Sequence, residues 1–577
     1  MTAAGARPDL PATADLSATA DLSATADLSA TADLAPVRAR WLGRVGYREA
    51  WDLQRALFDA RVRGEGEDYL LLVEHPHTYT CGRRTDRAHL LRSPDEYKDL
   101  GADVVDVDRG GDVTYHGPGQ LVVYPILRLG RPDVVAHVRS LEELVIATLA
   151  DLGIAGERAD GFAGVWAGGA KVCQIGCRVT RGVTMHGLAL NVATDPRYWA
   201  QIVPCGIADR PVTSIAEIRG EHVELEDAAR SLITHVPAAL GRRVEFCGED
   251  WARSGRRRRD PIPVEGVRSL RAAAVEAGPD VKAQARTRPV WLKRRARLAD
   301  PGFMELKTLM RGLELHTVCE EAGCPNIFEC WSERTATLMI LGKDCTRSCG
   351  FCEVGTAKPP AVDPEEPERV AAAVDAMALE HAVLTSVARD DLDDGGASAF
   401  AACIEAIRQR RPGCAVEVLV PDFKGDGAAA GRVFDAAPDV FNHNLESVAR
   451  LQRLVRPQAS YARSLTLLAR AKAAGLVTKS GMICGMGETD AELVEAMGDL
   501  RAVGCDILTI GQYLRPGARH LPVQRWVAPE EFARLAAAGR AMGFAHVEAG
   551  PLARSSYHAR TAAEVSLSSP APAGAPG

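Results

Sequence analysis

The sequence predicts a multidomain protein in which an α+β domain over residues 41–240 precedes a partial (β/α)6 barrel over residues 291–560. Three observations carry this expectation. At 577 residues the chain exceeds what one hydrophobic core usually fills. Between residues 41 and 240, apolar runs of strand length surround one long amphipathic stretch, the pattern of mixed sheet and helix. From Thr337 onward strand-like and helix-like segments alternate through six units, and repeated βα units fold as a parallel sheet with right-handed crossovers.

Residues 1–40 contain ATADLS begun at Ala12, Ala18, Ala24 and Ala30, the last copy ending in Ala35. A six-residue period with so little apolar bulk cannot close a core, so a disordered tail is expected. DYLLLVEH (68–75), QLVVYPI (120–126) and VTMHGLALNV (183–192) read as strands, and VVAHVRSLEELVIATLADLG (134–153) as a helix. Residues 241–290 are charge-rich and punctuated by proline, with RRRR at 256–259, and read as a solvated linker. The six later strands are TLMILG (337–342), HAVLTSVA (381–388), AVEVLVPDF (415–423), VFNHNLE (440–446), VTKSGMICGMG (477–487) and DILTIGQYL (506–514). Polar residues gather at their C-terminal ends, the face where a βα barrel assembles its site. Residues 561–577 are expected to form a second disordered tail.

Composition is that of an ordinary soluble protein: 46% hydrophobic, 25% charged and 5% aromatic. The net charge of -7 gives no electrostatic reason to expect nucleic acid. No apolar run is long enough to span a bilayer and the first residues lack a signal-peptide core, so no membrane partner and a cytoplasmic location are expected. Six of fifteen cysteines fall between Cys319 and Cys352, which argues for metal ligation over a disulfide framework.

Cys345, Cys349 and Cys352 form a C-x3-C-x2-C loop directly after the first barrel strand. Soft thiolates suit zinc, copper(I) or iron–sulfur clusters, and three of them hold three irons of a cubane while leaving the fourth open. The alternative is zinc with a remote fourth ligand such as His443. In its barrel context the loop resembles the radical S-adenosylmethionine superfamily. A second triad, Cys319, Cys324 and Cys330 in C-x4-C-x5-C, together with RSSYHA at 554–559, resembles the lipoyl synthase family. The similarity takes in TLMILGKDCTRSCGFC, LTSVARDDLDDGGA, VFNHNLESV, LVRPQASYARSL and LTIGQYLRPGARHLPV.

That resemblance implies two 4Fe-4S clusters: one on Cys345, Cys349 and Cys352, and an auxiliary one on Cys319, Cys324, Cys330 and Ser556, with Ser555 as its neighbour. It implies S-adenosylmethionine as cofactor, an electron donor of ferredoxin or flavodoxin type, and abstraction of two hydrogens from an octanoyl chain by deoxyadenosyl radicals. Sulfur would come from the auxiliary cluster. The radical route fits the substrate, whose C–H bonds no base of ordinary pKa can ionise. Asp394, Gly395 and Gly396 are expected to bring main chain near the methionine ammonium, and Gly485 and Glu488 to border the nucleoside. A glycine turn closing a βα loop is the equal alternative for both. His443, Asn444 and Arg515 point to the same mouth with open roles.

In the first half, RGGDVTYHGPGQ at 109–120 combines paired glycines, a histidine and a tight turn, so main chain can pass close to a flexible ligand. With KVCQIG (171–176), HGLALN (186–191) and PCGI (204–207) it resembles the octanoyltransferase, or lipoate-protein ligase B, family, whose fold is biotin/lipoate ligase-like. The resemblance makes Cys205 the thioester-forming nucleophile and Lys171 its base. It places Arg109, Gly110, Gly111, Asp112, Val113, Thr114, Tyr115, His116, Gln174, Ile175, Gly176, Gly187, Leu188 and Ala189 around the substrate. A thiol is mostly protonated at neutral pH, so a neighbouring amine that takes or balances its proton suits the chemistry. Cys173 and Cys177 beside Lys171 depart from the small aliphatic residues expected there.

The implied partners are octanoyl-acyl carrier protein and the lipoyl domains of 2-oxoacid dehydrogenases and of the glycine cleavage H protein. Taken together, the halves resemble consecutive enzymes of one route, fused, which raises the effective concentration of the second site around the first product. The rivals are an ATP-dependent lipoate or biotin ligase for the first half, and a zinc-stabilised non-enzymatic scaffold.

Overall fold

The N-terminal apolar runs pair into a mixed sheet. In the computed structural model, which describes residues 34–206, 210–246, 288–292, 301–321, 324, 326–328, 337–556, 559 and 563, its strands are β1 (Ala35–Arg44), β2 (Tyr69–Glu74), β3 (Thr78–Cys81), β4 (Asp103–Asp106), β5 (Thr114–His116), β6 (Gln120–Ile126), β7 (Glu157–Ala159), β8 (Phe162–Ala167), β9 (Ala170–Thr180), β10 (Val183–Asn191) and β11 (Arg242–Phe246). Eight form one sheet in the order β11-β1-β2-β6-β10-β9-β8-β7, and β4-β3-β5 form a smaller one.

Helix α1 (Tyr47–Val62) covers one face of the large sheet; α2 (Val134–Asp151) and α3 (Leu225–Thr234) cover the other. Strand alternation explains why β6 is buried along its whole length: Leu121 and Val123 enter the core with α2, while Val122, Tyr124 and Ile126 enter the core with α1.

Two domain boundaries shift. β1 starts at Ala35, inside the expected tail, and β11 occupies the first residues of the expected linker, paired in parallel with β1. Charge hid β1. Arg38 and Arg40 read as tail residues, yet the Arg40 side chain is only 7% exposed because Asp499, in the other half of the chain, receives it. The ATADLS repeats before residue 34, the bulk of the linker (247–287), Cys330 and residues 564–577 lie outside the described residues.

The second half adds β12 (His316–Thr317), β13 (Thr337–Ile340), β14 (Asp344–Cys345), β15 (Gly355–Thr356), β16 (His381–Ser386), β17 (Ala415–Leu419), β18 (Val440–Asn442), β19 (Val477–Cys484), β20 (Ile507–Gln512) and β21 (His546–Gly550). The sheet runs β12-β13-β16-β17-β18-β19-β20-β21 and is parallel from β13 onward, so all six expected strands are neighbours. β21 is a seventh parallel strand beyond the expectation. Its sequence, HVEAG, is too short and too polar to stand out as an apolar run.

The crossover helices are α4 (Glu366–Ala376), α5 (Ala397–Arg410), α6 (Gly427–Asp435), α7 (Tyr461–Ala473), α8 (Asp490–Ala502) and α9 (Pro529–Ala541). Inside the barrel, Lys479 Nζ donates to both oxygens of Glu417 at 2.9 and 3.1 Å, both side chains being 1% exposed. Asn442 donates to the same carboxylate.

The two halves share a core. One hydrophobic cluster runs from Leu53, Leu57 and Phe58 of α1 to Leu465 and Leu468 of α7 and Met497 of α8. Polar groups fix the register of this contact. Arg40 Nε reaches both oxygens of Asp499 at 2.9 and 3.1 Å, and the Tyr461 hydroxyl donates to the same carboxylate at 2.9 Å. Arg463 Nε donates to Glu49 at 2.7 Å, Thr466 Oγ1 to the Glu49 carbonyl at 3.0 Å, and Arg470 Nε to Asp52 at 2.7 Å.

Candidate active sites

The first site forms where β9 meets a short turn. Lys171 near the start of β9 and Cys205 in the turn Pro204–Gly206 are 34 positions apart, yet Lys171 Nζ lies 3.6 Å from Cys205 Sγ. Lys171 is buried, and its Nζ sits 4.8 Å from the centre of the Trp166 ring. Cys205 is half-buried and held at φ 56°, ψ 17°, a left-handed conformation uncommon for a residue with a Cβ. Its N–H donates to the Val113 carbonyl at 2.8 Å, which anchors the turn to the RGG…HGPGQ segment. Such local strain gathers at functional positions.

Gly164, on β8, makes room for the lysine. Its φ is +133°, and a Cβ there would lie 2.7 Å from Lys171 Cε and 2.5 Å from the Cys173 carbonyl oxygen. His89 and Asp112 form a second pair beside the cysteine turn, Nδ1 to Oδ2 at 2.5 Å, and a Cβ on Gly206 would meet both side chains. Gly164 and His89 were not singled out in the sequence; neither stands in a motif, and only the folded chain brings them to the cysteine.

The other expected contacts divide. Arg109 is spent internally, with Nη2 donating to the Thr80 carbonyl and hydroxyl at 2.6 and 2.8 Å. Gly110 and Gly111 carry this loop over β9, where the Gly110 N–H faces the Cys177 carbonyl and a Cβ on Gly176 would approach Gly110 and Arg109. Val113, Thr114 and Tyr115 are buried, and the Tyr115 hydroxyl bonds His77.

His116 bonds Gln120 and stacks on Tyr47; burial, with His75 next, holds its pKa well below the ordinary histidine value, so it is neutral. Ile175, Leu188 and Ala189 pack into the cores, and a Cβ on Gly187 would strike the Val123 carbonyl. Gln174 is 4% exposed, and both its amide atoms lack a hydrogen-bond partner among the described residues, which suits a polar ligand.

The extra thiols differ from Cys205. Burial pushes Cys173 up to about 12 and Cys177 up to about 11. Alkylation of the native chain with iodoacetamide at neutral pH is therefore expected to mark Cys205 at least about tenfold faster than either neighbour, read by peptide mass mapping.

The second site sits at the C-terminal mouth of the barrel. Cys345, Cys349 and Cys352 are within electrostatic reach of one another, although no three thiols, imidazoles or carboxylates form a tight single-ion chelate among the described residues. The loop is pinned by backbone: Gly350 N–H donates to the Val455 carbonyl at 2.7 Å, Leu521 N–H to Gly350, and His520 Nε2 contacts the Cys352 carbonyl at 2.9 Å. The Cys345 sulfur accepts from the amides of Arg347 and Ala388 at 3.4 and 3.3 Å. Burial raises the thiols of Cys349 and Cys352.

Arg347, inside the cysteine loop, donates to Asp390 at 2.7 Å and to Asp422 at 2.6 Å. The soft three-thiol donor set fits an iron–sulfur cluster. Ser386 Oγ at the end of β16 and Asn444 Oδ1 beyond β18 are buried without partners among the described residues, polar groups that a bound nucleotide would satisfy.

The expected cofactor loops are stiffened from within. The Asp394 carboxylate accepts from the N–H groups of Gly396 and Ser398 at the start of α5, and Gly395 and Gly396 turn at φ 61° and 91° against Phe423 and Leu341. Glu488 accepts from the amides of Gly485 and Met486, closing the GMGE turn. His443 has both ring nitrogens engaged, with Val420 and Ser464, and burial lowers it to about 4. That engagement leaves it no lone pair for the zinc alternative. Arg515 donates to the carbonyls of His520 and Ala518.

The C-terminal segment returns to the second triad. Asn326 Nδ2 donates to the Leu552 carbonyl at 2.7 Å. Cys324 is held down to about 6, first by its hydrogen bond with Cys319 and, despite burial, also by Arg554. The Ser555 hydroxyl accepts from Asn444 at 2.7 Å, whereas Ser556 is half-buried two residues beyond Arg554. Cys330, the third member of this triad, lies outside the described residues.

Fold and sites together define a two-domain enzyme in which a lipoyl-ligase type catalytic domain precedes a radical S-adenosylmethionine barrel. The family model described as lipoyl protein ligase A/B catalytic domain matches residues 46–237, and that of the radical SAM superfamily matches residues 339–500. The chain is 62% identical over 280 residues to the lipoyl synthase of Rubrobacter xylanophilus, covering 48% of this chain and 87% of that protein. It is 52% identical over 298 residues to the lipoyl synthase of Kineococcus radiotolerans, covering 52% and 88%. A crystal structure of lipoate-protein ligase A bound with ATP superposes with a TM-score of 0.33 at 18% identity, over 37% of this chain and 91% of that one.

Through its C-terminal half the chain belongs to the lipoyl synthase family, whose chemistry requires iron–sulfur and S-adenosylmethionine. Among the described residues no helix is long and apolar enough to cross a membrane.

Proposed function

We propose that this chain carries out two consecutive steps of lipoate biosynthesis: octanoyl transfer onto a lipoyl domain, then insertion of two sulfurs into the attached chain. The observation that carries the first step is the 3.6 Å contact between Lys171 and Cys205. In it, Lys171 takes the proton of Cys205, the thiolate attacks the thioester of octanoyl-acyl carrier protein, and the carrier sulfur leaves as its thiol with the proton that Lys171 returns. The lysine amine of a lipoyl domain then attacks the new thioester, Lys171 takes the proton that this amine loses, an amide forms, and Cys205 leaves as thiolate beside the protonated Lys171. Trp166 and the close approach at Gly164 fix the reach of Lys171. Gly164→Ala is expected to slow transfer by about 10²-fold through displacement of that amine, with lipoyl-domain octanoylation as the readout.

For the second step, Cys345, Cys349 and Cys352 are proposed to hold one 4Fe-4S cluster, and Cys319, Cys324, Cys330 and Ser556 a second. When bound, these groups and S-adenosylmethionine supply one-electron chemistry for unactivated C–H bonds, and sulfur. The pinned Gly350 turn holds the cysteine loop in place. The acceptors proposed are lipoyl domains of 2-oxoacid dehydrogenases and the glycine cleavage H protein, with a ferredoxin- or flavodoxin-type reductant, in a reducing cytoplasm.

The test is anaerobic incubation of the reconstituted chain with octanoyl-acyl carrier protein, a lipoyl domain, S-adenosylmethionine and reductant, followed by mass spectrometry of the domain. Sequential appearance of octanoyl and lipoyl domains, with roughly eight irons per chain, supports the proposal. Zinc in place of iron, or an absolute ATP requirement for acylation, sinks it.

A further inference from the structure

The cysteine loop is linked to the other domain by a chain of alternating charges. Arg347, between Cys345 and Cys349, bonds Asp390 and the fully buried Asp422. Asp422 Oδ2 also lies 3.3 Å from Arg463 Nη1, and Arg463 Nε donates at 2.7 Å to Glu49 on α1. Burial alone would push the Asp422 carboxyl up; Arg347 first and Arg463 after it hold it below the usual carboxylate range.

The distances rank the commitments of Asp422. It is bound closely to Arg347 and loosely to Arg463, because Glu49 holds the Arg463 guanidinium back. Were Glu49 neutral, Arg463 would be free to close on Asp422 as a bidentate pair, drawing that carboxylate off Arg347.

We propose that the N-terminal domain is permanently docked on the outer wall of the barrel, and that Glu49 is a positioning residue for the three-cysteine loop, acting through Arg463, Asp422 and Arg347. The docking rests on the shared core and on the separate pairs Arg40–Asp499 and Arg470–Asp52, so it survives loss of Glu49 alone. The positioning role rests in addition on the assignment of the loop to an iron–sulfur cluster. With the domains fixed, the two mouths stay at constant separation, and an acylated lipoyl domain travels between them.

Two measurements on the full chain test this. In the first, a protease site is inserted between residues 250 and 280 and cut. The halves are expected to co-elute in gel filtration at low-micromolar concentration and physiological salt; separate elution overturns the docking.

In the second, Glu49→Gln is compared with the parent and with Glu49→Asp, all reconstituted to equal iron content. Glu49→Gln is expected to alter the electron paramagnetic resonance spectrum of the reduced loop cluster in the presence of S-adenosylmethionine. It should also raise the KM for that nucleotide about three- to tenfold, with octanoyl transfer unchanged and Glu49→Asp partly restoring both. A spectrum and KM equal to the parent's overturn the positioning role, as does a lower melting temperature with no change in either. A parent chain whose spectrum does not respond to S-adenosylmethionine fails the cluster assignment itself, and the gel-filtration result stands apart from it.

Discussion

Cys205→Ala in the full chain is expected to cut octanoyl transfer by about 10³-fold or more and to abolish any hydroxylamine-labile octanoyl adduct, while sulfur insertion into a domain octanoylated beforehand continues at the parental rate. The magnitude follows from the absence of a substitute. Cys173 and Cys177 are the nearest alternatives in sequence, and burial raises both thiols far above neutrality, so neither supplies a nucleophile. Lys171→Met should leave the thiol in place and slow its acylation by about 10²- to 10⁴-fold, the usual worth of a positioned proton acceptor. Acyl-enzyme formation and lipoyl-domain octanoylation, followed separately by mass spectrometry, distinguish the two variants. Thioester accumulation in Cys205→Ala would remove this cysteine from the mechanism.

Lys479→Met is expected to destabilise the barrel by about 3–5 kcal/mol and to reverse its response to acid. Lys479 and Glu417 are both 1% exposed, and removing one partner of a buried ion pair strands the other charge. The sign follows from Glu417. Burial pushes its carboxyl up, but Lys479, with His381 behind it, outweighs burial and holds it at about 2 against an ordinary 4.5. In the parent this stabilisation is complete above pH 4.5 and is lost as pH falls toward 2.

In the variant, burial acts with far less opposition. Glu417 then binds a proton more readily folded than unfolded, so acidification from neutrality stabilises the barrel. Melting temperatures between pH 7 and pH 4 should therefore rise for Lys479→Met where the parent stays level or falls. An unchanged melting temperature at pH 7 would refute the role assigned to this pair.

What the sequence made legible was governed by how local each signal is. The six barrel strands were readable because each is an apolar run ending in polar residues, a pattern contained within about ten positions. β21 was missed because HVEAG derives its place from pairing with β20, not from its own composition. β1 was missed because Arg38 and Arg40 looked like tail; the acid that buries Arg40 lies 459 positions away.

The contact between Lys171 and Cys205 was legible through its motifs. The residues that shape it were not: Gly164 matters only because Lys171 crosses beside it, and His89 only because it meets Asp112. At Asp394 and Glu488 the sequence suggested main chain near the cofactor; the fold uses both carboxylates to hold their own turns, which leaves that main-chain expectation as it stood.

The contact between α1 and α7 also bears on how the protein is made. Glu49 and Arg463 are 414 residues apart, so at about 5–20 residues per second the outer flank of α1 waits roughly 20–80 s on the ribosome before its cover is synthesised. Through that interval the nascent first domain presents an oily helix to the cell, a surface suited to a chaperone or to self-association. Yield on overexpression should accordingly depend on translation speed and on holdase supply more steeply than the finished molecule's stability suggests.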